Sequence, residues 1–400
     1  MTDFIELKNN DKKYISNTYD RMNLYVKYSE GSFLIDNNNN KYLDMFSGIG
    51  VNNFGGKNSV IKNAIQFQVN NYLHLSNYFY SETAIDLAKT LVQNSFAKKV
   101  FFTNSGTESN EAAIKLCLKY GHNISENKNI ILSAFNSFHG RTMGSLSLTG
   151  QKKYQNNFEP LLPNVKHFEF NNVNLFKEIV NENICAIFIE LIQGEGGIVE
   201  ITSEFLQCIV EYQKKYNYLI IIDEIQTGLG RTGKLFAYEN YDIVPDAVTI
   251  AKSLGAGLPI GALLIGEKCE NILKVGEHGS TFAPNPVSAT CGNNVLSMLL
   301  KDGFIDNINY KSKYIINKLN NLKSKYSYII KSISGKGLMI GINVGEYANV
   351  IKEDAFRNQL LLNVTSKNII RLLPPLNITI EEIELFLEKF EKSLINCKTQ

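Results

Sequence analysis

The chain has 400 residues, 44% of them hydrophobic and 20% charged, as in an ordinary globular protein with room for more than one domain. Its 41 basic and 39 acidic side chains nearly cancel, and no run of like charges indicates a nucleic-acid or membrane partner. The N-terminus lacks the apolar stretch of a signal peptide, and no apolar run is long enough to span a bilayer. Six scattered cysteines and five histidines show no metal-ligand spacing, so we expect reduced thiols, a cytoplasmic location and no metal site.

The N-terminal region is polar and rich in asparagine, with two predicted strands at residues 32–35 and 41–45. From Thr83 onward, predicted helices alternate with short strands. These strands are apolar throughout rather than alternating, which favours a mostly parallel sheet covered by helices on both faces. The predicted strands are residues 99–102, 129–133, 186–189, 219–222, 247–250 and 261–265, with a helix over residues 107–120.

The pattern changes after about residue 286. Two long helices are predicted, followed by a strand entered through glycines and a closing helix that begins with a capping-box signal at Thr379 and Glu382. These four elements are residues 287–300, 310–325, 335–342 and 380–394. We therefore predict a large domain over residues 51–285 and a small α+β domain over residues 286–400, with residues 1–50 packing against the small domain.

Polar residues at the ends of the predicted strands are candidates for a binding site, because ligands of open parallel sheets bind beyond the carboxyl ends of the strands. Residues 103–108 follow the first strand and open a helix. Hydroxyls, a glycine and free N–H groups at a helix N-terminus suit a phosphate. An ordinary N-cap made by Ser105 or Thr107 is the alternative.

Asp223 and Lys252 each follow an apolar strand. A carboxylate at the position of Asp223 needs a cation or a strong donor, and a helix-capping aspartate is the alternative reading. A lysine in a desolvated site loses its proton more easily and becomes a nucleophile able to form an imine. A phosphate site, a buried acid and such a lysine together match the phosphate, ring nitrogen and aldehyde of pyridoxal phosphate.

Seven ordered motifs carry a resemblance that runs from about residue 42 to residue 375. They are residues 101–108, 137–142, 193–197, 223–228, 230–233, 251–255 and 278–282. Through them the chain resembles the class III aminotransferases of the fold-type-I pyridoxal-phosphate enzymes, and most closely the acetylornithine aminotransferases. The resemblance implies an aspartate-aminotransferase-like α/β fold. Its large domain would bind the cofactor around a mostly parallel seven-stranded sheet, beside a smaller α+β domain.

The resemblance also implies catalytic and ring-binding roles. Lys252 would hold the cofactor covalently and later move a proton between substrate and cofactor. Asp223 would keep the pyridine nitrogen protonated, while Gln226 would hydrogen-bond the phenolic oxygen of the ring. Phe138 would stack on the ring face. Glu190 would support the cofactor pocket, and a plain strand-end acid is the alternative there.

The phosphate of the cofactor would be held by the segment Ser105, Gly106 and Thr107. By the same resemblance, Thr281 would reach the phosphate of the neighbouring subunit, which implies a homodimer with shared active sites. The chain has Ala283 and Pro284 where the family usually has two glycines after this threonine and its aromatic neighbour. Proline restricts the backbone of the preceding residue.

Four positions are implied to bind the substrates. Arg141 would clamp a carboxylate bidentately, and a surface arginine in a helix cap is the alternative. Glu195 and Arg371 match a pair in which the glutamate neutralises the arginine until glutamate or 2-oxoglutarate binds. Ile49 stands where ornithine δ-aminotransferases carry a tyrosine that recognises the free α-amino group, so an acylated ornithine, or a substrate without that amine such as 4-aminobutyrate, is favoured.

The predicted function is therefore transfer of the terminal amine of N2-acetyl-L-ornithine to 2-oxoglutarate, as in arginine biosynthesis. Ornithine δ-aminotransferase and 4-aminobutyrate aminotransferase are the alternatives within the family. A catalytically silent cofactor-fold binding protein is the alternative of another class, and racemisation on the same scaffold is a further one.

Overall fold

A computed structural model describes residues 3–397. Residues 1–2 and 398–400, the outer ends of the predicted N-terminal segment and small domain, lie outside the described part, and the domain limits themselves stay a prediction. The strands are β1 (Val26–Glu30), β2 (Phe33–Asp36), β3 (Lys41–Asp44), β4 (Lys99–Thr103), β5 (Ile130–Ala134), β6 (Val165–Phe168), β7 (Ile184–Ile189), β8 (Ile192–Gln193), β9 (Val199–Glu200), β10 (Leu219–Asp223), β11 (Ala247–Ile250), β12 (Gly261–Ile265), β13 (Ser332–Lys336), β14 (Met339–Asn343), β15 (Leu360–Leu361), β16 (Asn363–Thr365) and β17 (Ile369–Leu372).

The helices surround these strands. They are α1 (Phe4–Tyr14), the single turn α2 (Ser47–Gly50), α3 (Ser59–Val69), α4 (Glu82–Gln93), α5 (Gly106–His122), α6 (Met143–Leu148), α7 (Lys152–Gln155), α8 (Val173–Ile179), α9 (Ser203–Tyr216), α10 (Pro286–Leu299), α11 (Phe304–Lys325), α12 (Ala348–Arg357) and α13 (Ile380–Asn396). Within residues 3–397, no helix is both long enough and apolar enough to cross a bilayer.

The central sheet has seven strands in the order β4-β12-β11-β10-β7-β5-β6. Strand β12 runs antiparallel to both of its neighbours, and the other pairs are parallel. Strands β7, β10, β11 and β12 are buried at every position, because helices cover both faces of the sheet. The predicted mostly parallel seven-stranded sheet is confirmed.

Two four-stranded sheets are formed by the ends of the chain. One has the order β1-β2-β3-β15, so the N-terminal strands pair with a C-terminal one, and the other has the order β13-β14-β17-β16. The single strand predicted over residues 335–342 was wrong, because the chain reverses there and forms the hairpin of β13 and β14. Gly335 and Gly337 have φ of +108° and +61°, a backbone region that favours glycine. The capping box at Thr379 and Glu382 is confirmed.

A buried arginine connects segments that are distant in sequence. Arg231 has no exposed surface. Its Nη1 donates to the carbonyl oxygens of Leu338 at 3.0 Å and of Pro374 at 2.6 Å, and its Nη2 donates to the Asn53 side chain. No carboxylate forms an ion pair with it within residues 3–397. The neutral oxygens of three chain segments therefore solvate this cation in place of water.

Candidate active site

A cavity of about 450 Å³ lies beyond the carboxyl ends of β4, β10 and β11, a volume typical of a small-molecule site. Most of the predicted site residues line it. They are Ser105, Gly106, Thr107, Phe138, Arg141, Glu190, Glu195, Asp223, Gln226 and Lys252. The sheet topology thus brings together side chains that are spread over about 150 residues of sequence.

Asp223 ends β10 and is 4% exposed. Its Oδ2 accepts hydrogen bonds from Asn110 Nδ2 at 2.9 Å and from the His139 ring Nδ1 at 2.8 Å, while its Oδ1 accepts from the Ile225 N–H at 3.0 Å. A carboxylate offers about four acceptor sites, so these three donors fix its orientation and leave room for one more. That remaining site is available to a donor in the cavity.

Asn110 and His139 were not among the predicted site residues. Both are buried, and Asn110 Oδ1 and His139 Nε2 have no hydrogen-bond partner in the described part of the chain. Each residue could have been suspected from the sequence. His139 lies inside the motif of residues 137–142, and Asn110 is a polar residue on the face of α5 that packs on the sheet. Buried polar groups are normally satisfied, so the unpaired atoms distinguish this place from the ordinary core.

Lys252 follows β11 and is half-buried in the cavity wall, with a left-handed backbone at φ +42°. Within residues 3–397 its amine has no ion-pair partner at salt-bridge distance. Burial and, to a smaller extent, the nearby Arg371 together lower the pKa of this lysine to about 8, against the opposing effect of Glu195 and Asp223. A substantial neutral fraction near neutral pH makes this amine a nucleophile and a base.

The segment that opens α5 forms one end of the cavity. The Ser105 hydroxyl accepts from the Glu108 N–H at 3.3 Å, so the predicted N-cap is present. The N–H groups of Gly106 and Thr107 occupy the first turn, where no intrahelical acceptor exists. A Cβ at Gly106 would lie 2.7 Å from the Ile225 side chain. The cap therefore coexists with backbone N–H groups that have no acceptor within the helix.

Glu190 connects two loops of the cavity wall. Its Oε2 accepts from the Phe138 N–H and its Oε1 from the Gly194 N–H, both at 3.1 Å. Burial raises the pKa of its carboxyl to about 7. This acid holds the loop that presents the Phe138 ring and the loop that continues to Glu195, so it does more than end a strand.

Arg371 and Glu195 form an ion pair at the edge of the cavity, with Nη1 and Oε1 separated by 2.5 Å. Arg371 is 1% exposed, and its Nε and Nη2 also donate to Asn363 Oδ1 at 3.1 and 2.7 Å. Its Nη1 donates to Gln226 Oε1 at 3.2 Å. Burial raises the pKa of Glu195, but the charge and hydrogen bond of Arg371, together with nearby lysines, lower it more, so its pKa lies below the ordinary value. Asn363 was not among the site residues predicted from the sequence.

Three predicted positions are placed differently from the rest. Arg141 is exposed at the cavity mouth. Thr281 is exposed and outside the cavity lining, as is Ile49, which is 38% exposed with φ +62°. Val51, two residues after Ile49, does line the cavity. The roles predicted for Thr281 and Ile49 stay predictions.

The chain matches the family described as aminotransferase class-III over residues 14–394. It is 43% identical over 386 residues to an acetylornithine aminotransferase of Clostridium acetobutylicum, which covers 96% of this chain and 99% of the relative. It is 44% identical to an acetylornithine aminotransferase of Caldanaerobacter subterraneus, over 94% of this chain and 95% of the relative.

Among solved structures, the chain resembles the ornithine aminotransferase of Toxoplasma gondii, with a TM-score of 0.95 and 26% identity over 100% of this chain and 96% of the other. A second structure of that enzyme, with a TM-score of 0.93, 26% identity and coverage of 99% and 95%, is described as having partial occupancy of PLP at the active site. The predicted fold type is confirmed by these similarities.

Proposed function

The chain belongs to the class-III aminotransferases, and on that premise we propose that it transfers the terminal amine of N2-acetyl-L-ornithine to 2-oxoglutarate. The products are N-acetylglutamate 5-semialdehyde and glutamate, a reaction of arginine biosynthesis. Relatives that are 43% and 44% identical over nearly the whole chain are acetylornithine aminotransferases, which supports this substrate.

The observation that carries the proposal is the unequal state of two arginines around one lysine. Arg371 is neutralised by Glu195, whereas Arg141 forms no ion pair within residues 3–397. A donor with one carboxylate, such as an acylated ornithine, uses the free arginine and leaves the other paired. 2-Oxoglutarate has two carboxylates and would displace Glu195 to pair with the second arginine.

Pyridoxal phosphate fits the cavity by the donor set of its walls. The free acceptor site on Asp223 suits a protonated ring nitrogen, and the open first turn of α5 suits a phosphate. Lys252 offers an amine of lowered pKa, and Phe138 offers a ring face in the same cavity. Gln226 supplies a side-chain amide beside them. When bound, this cofactor supplies an aldehyde that captures amines and a ring that accepts electrons.

Different residues of the cavity then have different roles in the reaction. Arg141 binds the carboxylate of the donor and orients its chain toward Lys252. The neutral Nζ of Lys252 removes the proton from the carbon that carries the reacting nitrogen and later returns a proton. Asp223, fixed by Asn110 and His139, keeps the ring nitrogen protonated.

We propose that the active form is a homodimer with shared active sites. An exposed set of aromatic and aliphatic side chains supports this, because apolar patches at a protein surface mark interfaces. It includes Phe67, Leu73, Tyr78, Phe79, Tyr80 and Phe282, each at least 62% exposed. Phe282 adjoins Thr281, the residue expected to reach the phosphate of a neighbouring subunit. Sedimentation equilibrium of the purified protein tests the assembly, and a monomer that is fully active contradicts it.

The substrate is tested by glutamate formation from 2-oxoglutarate, with N-acetylornithine, ornithine and 4-aminobutyrate as competing donors. We expect N-acetylornithine to have the highest kcat/KM. A clear preference for free ornithine contradicts the acylated-substrate assignment while leaving the aminotransferase assignment intact.

The alternative of a silent binding protein is tested through Lys252. The purified wild-type protein is expected to carry a yellow chromophore that borohydride reduces, and Lys252→Ala is expected to lose both this property and turnover. Undiminished turnover in the variant contradicts the role of the lysine, and turnover without 2-oxoglutarate would identify a racemase-like reaction instead. The cytoplasmic location expected from the cysteines stays a prediction.

A further inference from the structure

The side chain of Arg141 lies over an aromatic ring that has no assigned function. Its guanidinium carbon is 4.1 Å from the ring centroid of Tyr154 and 5.5 Å from that of Phe138. Lys153 Nζ is 4.6 Å from the same Tyr154 centroid. A planar guanidinium can stack on a ring while the N–H groups along its edge remain free for a carboxylate.

Tyr154 lies on the short helix α7, and buried glutamines fasten both ends of this helix. Gln151 Nε2 donates to the carbonyl oxygens of Asn136 and Ser137 at 3.2 and 3.1 Å. Gln155 Nε2 donates at 3.3 and 2.9 Å to two carbonyl oxygens at the end of α6. The half-buried tyrosine ring therefore stands on a turn that is tied to its neighbours on two sides.

The same ring also contacts the cavity wall. Tyr154 and Phe138 meet edge to face, with centroids 5.6 Å apart and planes at 77°. The Phe138 backbone is in turn held by Glu190. A continuous series of contacts thus runs from the wall of the cofactor pocket, through Tyr154, to the guanidinium at the cavity mouth.

We propose that Tyr154 is a positioning residue that holds the Arg141 guanidinium ready for the substrate carboxylate. This inference rests on the proposed function, which assigns the carboxylate to Arg141. An arginine already stacked loses less conformational freedom when the substrate arrives, so the ring increases affinity for carboxylate-bearing donors without touching them. A donor without that carboxylate gains nothing from the ring.

The test compares two donors that differ only in the carboxylate, N-acetylornithine and N-acetyl-1,4-diaminobutane. Tyr154→Leu removes the ring, and we expect kcat/KM for N-acetylornithine to fall about two- to fivefold, mainly through KM. The kcat/KM for N-acetyl-1,4-diaminobutane should stay unchanged. Tyr154→Phe keeps the ring and should behave like the wild type.

Two further variants control for a structural effect. Pentafluorophenylalanine at position 154 keeps the ring but reverses its charge distribution, so it should lower kcat/KM for N-acetylornithine as Tyr154→Leu does. Because the ring is retained, this variant tests the proposal even if Tyr154→Leu folds poorly. Tyr216→Leu makes the same change at a half-buried tyrosine whose ring also contacts a lysine, outside the cavity lining, and should affect neither donor.

The results distinguish failure of the positioning role of Tyr154 from failure of the role proposed for Arg141. Equal losses for both donors in the Tyr154 variants, or no loss for either, overturn the positioning role. Arg141→Lys, measured in parallel, tests the clamp itself. If that variant leaves the preference between the donors unchanged, the assignment of the carboxylate to Arg141 fails. If it abolishes the preference while the Tyr154 variants retain it, only the positioning role fails.

Discussion

The lowered pKa of Lys252 predicts how fast the protein without cofactor captures pyridoxal phosphate at different pH values. Only the neutral amine forms an imine, so the rate constant follows its neutral fraction. With a pKa of about 8 instead of 10.5, the neutral fraction at pH 7 rises from about 0.03% to about 9%, a gain of about 300-fold. The rate constant should rise about tenfold per pH unit below pH 8 and level off above it.

The assay is stopped-flow absorbance after pyridoxal phosphate is mixed with the apo-protein between pH 6 and 10.5. The same reaction with a blocked free lysine provides the control, because its rate constant divided by the neutral fraction of its own amine reports the ionisation of the cofactor alone, and dividing by that quantity removes this ionisation from the profile. A midpoint near 10 in the normalised profile would refute the reasoning, since it would show an amine that burial does not affect.

Two variants test the electrostatic causes of this shift in opposite directions. Arg371 lowers the pKa of Lys252 and Glu195 raises it. Arg371→Gln should therefore move the midpoint of the profile upward, and Glu195→Gln should move it downward. Shifts of the same sign in both variants would contradict an electrostatic origin.

Two substitutions probe the walls of the cavity. Gly106→Ala places a Cβ 2.7 Å from Ile225, so we expect the Kd for pyridoxal phosphate to rise about tenfold by equilibrium titration. Asn363→Ala removes the acceptor of two N–H groups of Arg371, so kcat/KM for 2-oxoglutarate should fall about tenfold in steady-state assays. Retention of wild-type efficiency in the Asn363 variant would mean that Glu195 and Gln226 hold the arginine without Asn363.

The central sheet was predictable because its strands are buried on both faces and are therefore apolar without interruption. The direction of β12 was not, since an antiparallel strand in the middle of a covered sheet has the same composition as its parallel neighbours. Strand β6 escaped prediction because Lys166 and His167 interrupt its apolar run. The hairpin around residue 337 was read as one strand, because two glycines mark both a strand entry and a turn.

The site was predictable where a residue type has few other reasons to follow an apolar strand, as for Asp223 and Lys252. His139 and Asn110 were missed because a buried polar residue can be an ordinary core residue, and only its partners in space reveal its role. The position of Ile49 shows a different limit. The unusual left-handed turn around it determines which side chain faces the cavity, and a sequence pattern does not contain that information.

The hydrogen bonds of Arg231 restrict how the molecule can open and close. Leu338 and Pro374 belong to the C-terminal third of the chain, whereas Asn53 belongs to the N-terminal part. Rotating these segments apart would strand an unpaired cation in an apolar interior, at a large free-energy cost. Arg231 therefore favours conformations in which these three segments stay together.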